Sequence, residues 1–132
     1  MTGERDLRTL LASIEPVLRP GAFVFAVIVD ESLLDGIAPE ATVREEEGLT
    51  VVLPQERADA LGLTYDFVAA WITLGVHSAL DAVGLTGAVS ATLADAGVSC
   101  NVLAGYHHDH LLVPAERAQE AVALLRELSR AA

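Results

Sequence analysis

His77-Ser78-Ala79-Leu80-Asp81-Ala82-Val83-Gly84-Leu85-Thr86-Gly87 is the stretch on which the reading of this chain turns. It opens polar and glycine-bearing, then passes into small and apolar residues in which Leu85, Val89 and Leu93 recur every fourth position. That spacing predicts a loop leading into a helix from about Thr86 to Ala96, one stripe buried and Gly97 placed just past its end. Upstream, the mostly apolar run from Phe67 to Val76 predicts a strand. Downstream, Val98 to Ala104 and His110 to Val113 predict two strands flanking a turn around Tyr106 to Asp109. From Ala115 to Ser129, Ala118, Ala121, Val122, Leu125 and Leu128 fall on one helical face and Glu116, Arg117, Glu120, Glu127 and Arg130 on the other. The order is therefore β-α-β-β-α, an α+β, ferredoxin-like arrangement with an antiparallel sheet and its helices on one face.

The preceding half has the same grammar with one helix missing or shortened. Leu7, Leu10, Leu11, Ile14 and Leu18 predict an amphipathic helix over Arg5 to Val17, ended by Pro16 and Pro20-Gly21. Ala22 to Val29 is β-branched and aromatic with both alternating faces apolar, the pattern of a central strand. Asp30 to Pro39 is a polar connection with room for one helical turn at Ser32-Leu33-Leu34. Ala41 to Pro54 predicts a hairpin turning near Glu46-Glu47-Gly48, and Pro54 then opens a short helix that stops at Gly62. The three consecutive glutamates at the turn suit a solvated turn better than a cation site. Val52-Leu53-Pro54-Gln55-Glu56-Arg57-Ala58 echoes Leu112-Val113-Pro114-Ala115-Glu116-Arg117-Ala118, so the chain reads as a duplication with halves at 1–64 and 65–132.

Composition narrows the partners. With 132 residues, 52% of them hydrophobic, the chain can bury a core, and its net charge of -11 repels phosphate backbones, which disfavours nucleic acid. The longest apolar run, Ala22 to Val29, falls far short of the roughly 20 residues a membrane span needs, and the acidic, polar start is unlike a signal peptide. A cytoplasmic location is expected. Cys100, the single cysteine, leaves no intrachain disulfide and no cysteine-based zinc site, and reads as a buried strand residue.

Three segments carry a resemblance. Arg44 to Pro54, Ile72 to Ser90 and Ala96 to Pro114 resemble small bacterial ACT-domain proteins built of two ACT-like halves, which are similar to the regulatory ACT region of aspartate kinases and to the animal cytosolic arginine sensors. The likeness spans roughly residues 5–128, and no segment resembles a kinase domain. It implies a regulatory or sensory module without catalysis or cofactor, a homodimer with sheets side by side, and an amino acid or similar small effector as ligand. By motif position it points to Ser78, Asp81, Val83, Gly84, Leu85, Thr86 and Gly87, with Asn101 on the adjacent strand.

Elementary chemistry gives the same place a mechanism. A helix N-terminus presents unpaired N–H groups and partial positive charge, so the amides around Thr86 to Ala88 could hold a carboxylate. Asp81 could pair with an ammonium group, and Asn101 offers both donor and acceptor. The same residues also serve as ordinary parts: Thr86 as an N-cap, Gly84 as a turn residue, Asp81 as a solvated loop acid. A second candidate is His107, His108, Asp109 and His110, which could ligate zinc or nickel or, with His77, support acid–base chemistry. Strand alternation would split that cluster between two faces, which favours a hairpin turn. No nucleophile-base pair and no cofactor fingerprint accompanies it. A purely structural dimerisation domain is the third reading.

Overall fold

The computed structural model describes residues 3–132. They form two compact units, one of residues 3–20 with 70–132 and one of residues 21–69.

The larger unit contains α1 (Leu7–Ala12), β1 (Pro16–Leu18), most of β5 (Val68–Leu74), α3 (Leu85–Asp95), β6 (Asn101–Ala104), β7 (Asp109–Pro114) and α4 (Ala118–Ala131). Its strands run in the order β1-β5-β7-β6, so β7 lies between β5 and β6, the two strands that α3 connects. This is the split β-α-β of a ferredoxin-like fold. Ala70, Ile72 and Leu74 on β5 and Leu111 and Val113 on β7 alternate toward one side, where Leu85, Val89 and Leu93 of α3 and Ala118, Ala121, Val122 and Leu125 of α4 close the core. Arg117 fixes the far end of α3, donating to the carbonyls of Ala96 at 2.9 Å and Gly97 at 3.3 Å.

The fourth strand position of this unit is filled from the N-terminus. The helix expected over Arg5 to Val17 stops at Ala12, and Pro16, Val17 and Leu18 pair antiparallel with Leu74, Thr73 and Ile72. Proline disfavours helical backbone in the residue before it, and Glu15 turns the chain at φ 45°. Leu18 keeps its inward position as part of a strand.

The smaller unit holds β2 (Phe23–Ile28), β3 (Ala41–Glu45), β4 (Gly48–Pro54) and α2 (Gln55–Ala60), with Val68 and Ala69, the first residues of β5, beside β2. Its order is β3-β4-β2, all antiparallel. Val24, Ala26, Ile28, Leu49, Val51 and Leu53 pack with Ala58 of α2. Where the larger unit has a crossing helix, this one has only the single 3-10 turn Glu31–Leu34. Pro54 ends β4 rather than opening the helix, which begins at Gln55. Cys100 likewise lies just before β6 and is half-buried, and burial raises its thiol pKa.

Candidate functional site

The larger unit places the 77–87 stretch at the end of β5, where Gly75 to Gly84 form a loop and α3 begins at Leu85. Gly84 is the residue preceding the helix, at φ 106°, a conformation that glycine reaches without a Cβ penalty. No side chain caps α3, and Thr86 is an exposed second residue of the helix rather than its cap. Ala88 N–H donates back to Gly84 O at 2.9 Å, which leaves the amides of Leu85, Thr86 and Gly87 at the helix mouth without a side-chain acceptor. Leu85 is buried and pins this end to the core, whereas Val83 is 82% exposed. A Cβ at Gly87 would meet nothing within 4 Å.

A feature with no periodic signature lies along the loop. Glu4 N–H donates to His77 O at 2.8 Å and Ala79 N–H donates to Glu4 O at 2.9 Å, a parallel bridge between Glu4 and Ser78. Gly3 crosses so closely that a Cβ there would sit 2.5 Å from the Ala79 nitrogen. Arg5 Nε donates to Asp81 Oδ1 at 2.9 Å and its Nη2 reaches Oδ2 at 3.4 Å. The side chain of Leu7 lies against Gly84. Asp81 is therefore paired with Arg5, but both groups are exposed, so the pair is weak and screened by salt. Asp81 offers an acceptor to a cation and Arg5 a donor to an anion. A cleft of about 270 Å³ lies here, lined by Arg5, His77, Leu80, Asp81 and Tyr106 among others.

Of the residues singled out by sequence, the structure brings Ser78 and Asp81 under the N-terminal segment and Val83 to Gly87 to the mouth of α3. Asn101 lies elsewhere. It opens β6 opposite Leu112, three residues from the Ala104 end that meets the turn, about 10 Å along the strand. Arg5 and Tyr106, which lie outside the loop stretch, join its first residue, His77, in lining the cleft.

The turn divides its histidines. His107 and His108 face the loop: the His107 ring lies 5.1 Å from that of His77 and 5.0 Å from that of Tyr106, and His108 Nδ1 lies 3.3 Å from Val76 O. His110 stands on the strand face away from the α3–α4 core, its Nδ1 2.9 Å from Thr73 Oγ1 and 3.3 Å from the Trp71 indole nitrogen. The Arg19 guanidinium lies 4.8 Å from the centre of the Trp71 ring. No group of three His, Cys, Asp or Glu side chains is arranged to hold a metal ion among the described residues. Burial raises the pKa of Asp109, against the opposing pull of His110 and His108. Burial also lowers that of His110, helped by His108 and Arg19 and opposed by Asp109.

A depressed histidine pKa means that the folded state holds His110 neutral while the unfolded chain protonates more readily. Its contribution is complete above the unfolded value of 6.5 and is lost as pH falls below that value and through the lower folded-state pKa. Urea midpoints measured between pH 7.5 and 5.5 are expected to fall for the native chain and to fall less for His110→Gln. A steeper fall in the variant would contradict this assignment.

Residues 2–70 match one ACT-domain profile and residues 67–127 match a second. Among solved structures, a Vibrio cholerae protein of unknown function, described as a possible transport protein, is similar at 45% identity and TM-score 0.84, covering 93% of this chain and 95% of that one. An Agrobacterium tumefaciens protein is similar at 20% identity and TM-score 0.67, covering 86% and 87%. The ligand-free regulatory subunit of aspartate kinase from Thermus thermophilus shares the fold at 11% identity and TM-score 0.68, covering 88% and 97%. No functionally curated protein matches the chain. With its split β-α-β unit, its glycine-led helix mouth and profile matches reaching from residue 2 to residue 127, the chain belongs to the ACT-domain family.

Proposed function

We propose that this protein is a non-enzymatic regulatory module that binds an amino acid at the junction of the 77–84 loop with α3, acting as a cytoplasmic homodimer. One observation carries the reading: the mouth of α3 is left uncapped behind Gly84, and Asp81, paired with Arg5 of the N-terminal segment, stands on the loop that leads to it. Uncapped amides and a helix dipole select a carboxylate, and a loop carboxylate selects an ammonium group, which together describe a zwitterion. Shared architecture with an aspartate kinase regulatory subunit supports a regulatory role at the level of fold.

A thermal-shift screen of the twenty amino acids tests it. A ligand that binds only the folded state at 100 times its Kd adds about 2.7 kcal/mol of stability, so at least one amino acid is expected to raise Tm by several degrees, saturably. Saturating concentrations of all twenty with no shift would overturn the reading.

A further inference from the structure

Gly3, Glu4 and Arg5 lie along the 77–84 loop and are held there by local contacts. Their backbone makes the two hydrogen bonds of the Glu4–Ser78 bridge, and their side-chain attachment to the loop is the Arg5–Asp81 pair, in which both groups are exposed. Glu4 turns its carboxylate back on its own segment, accepting from the N–H groups of Arg5 at 3.1 Å and Asp6 at 3.0 Å. None of residues 3–5 is buried. The core takes hold of the chain only afterwards: Asp6 caps α1, accepting from Thr9 N–H at 3.0 Å, and Leu10 is fully buried. A segment attached by so little, with its anchor behind it, opens locally without disturbing the core.

While docked, this segment also forms one wall of the cleft beside the loop, where Gly3 and Arg5 stand with Asp81. Both oxygens of the Asp81 carboxylate are engaged, Oδ1 by Nε of Arg5 and Oδ2 by its Nη2. A ligand's ammonium group cannot take the same two oxygens without coming against the guanidinium, a repulsion between like charges at close range. The docked segment and a cationic group are therefore competitors for one acceptor.

We propose that residues 3–5 are an autoinhibitory strap: docked, Arg5 stands in for the effector's ammonium group at Asp81, and the effector binds when the strap lifts. The inference rests on the amino-acid reading of the α3 mouth and adds regulated access to it. An effector that binds only the lifted form shows an affinity reduced by the fraction lifted. Two backbone hydrogen bonds and a screened ion pair, offset by the entropy of ordering a short segment, favour the docked form by about three- to tenfold.

Two variants of the full chain lift the strap by different means. Gly3→Val keeps Arg5 but puts a side chain where a Cβ would sit 2.5 Å from the Ala79 nitrogen, a backbone contact that no rotamer relieves. Arg5→Ala keeps the backbone and removes the competing charge. Arg8→Ala, at an exposed position of α1 outside this cleft, makes the same charge change and is the control. The twenty amino acids are screened by thermal shift against the native chain and all three variants, and the one with the largest shift is titrated calorimetrically into each. Gly3→Val and Arg5→Ala are expected to bind it about three- to tenfold more tightly than the native chain, and Arg8→Ala with native affinity. Without any amino acid present, the Ala79 amide is expected to exchange its hydrogen faster in Gly3→Val than in the native chain. Native affinity in both strap variants, weaker binding in Arg5→Ala, or equal tightening in Arg8→Ala would each overturn the strap and leave the amino-acid reading standing. No binding of any amino acid by any of these proteins would overturn both.

Discussion

Gly87→Asp is expected to stabilise the free protein and, in the same variant, to weaken amino-acid binding at least tenfold. Gly87 is the third residue of α3, in helical backbone, and a side chain there meets nothing within 4 Å. Glycine is a poor helix former, and a carboxylate in the first turn interacts favourably with the helix dipole, so the gain is about 1 kcal/mol. The same carboxylate takes up the amides that an effector's carboxylate would use and repels it. Losing charge-assisted hydrogen bonds of about 1.5–3 kcal/mol weakens binding at least tenfold. Urea unfolding and a repeated thermal-shift titration measure the two effects. They have opposite signs, which a merely structural role for the glycine would not produce: it would raise stability and leave ligand response intact.

Leu93→Ala is expected to cost about 3 kcal/mol, within the range of about 2–5 kcal/mol for emptying a well-packed leucine site. Leu93 is fully buried on the α3 stripe with Leu85 and Val89, in a core closed by α4. Set against a total stability of typically 5–15 kcal/mol, that loss is a large fraction. Because the helix presents the proposed binding amides, a bound effector restores part of the stability, so the variant's Tm responds to ligand even where the free protein is badly weakened. Leu80→Ala, at a loop position 66% exposed, is expected to change stability by less than about 0.5 kcal/mol. Chemical denaturation of both separates the buried stripe from the exposed loop. Similar losses at the two positions would contradict the packing described.

Which parts were legible in the sequence follows from how far apart the interacting residues lie. The stripe Leu85, Val89, Leu93 and the amphipathic face of α4 are local periodicities, and each buries where its spacing placed it. The missing crossing helix of the smaller unit was legible too, since Asp30 to Pro39 has no apolar period and folds as a single 3-10 turn. Leu18 misled because it falls four residues after Ile14, a helical interval, yet its inward position is held by pairing with Ile72 in β5. The bridge of Glu4 to Ser78 and the contact of Gly3 with Ala79 are made by backbone atoms, so no side-chain pattern announces them. The histidines of the turn share four residues of sequence, but hairpin geometry sends His110 to Thr73 and Trp71 while His107 joins His77. The loop residues Ser78 to Gly87 are contiguous and stay together for that reason. Asn101 lies outside that contiguous stretch, three residues along β6 from the Ala104 end that meets the turn.

The proposed role is tested most directly by calorimetric titration, into the native chain and into Gly87→Asp, of whichever amino acid gives the largest thermal shift. The expected result is one saturable site per chain in the native protein and at least tenfold weaker binding in the more stable variant. Equal binding by the two proteins, or no binding of any amino acid by the native one, would contradict effector recognition at the mouth of α3.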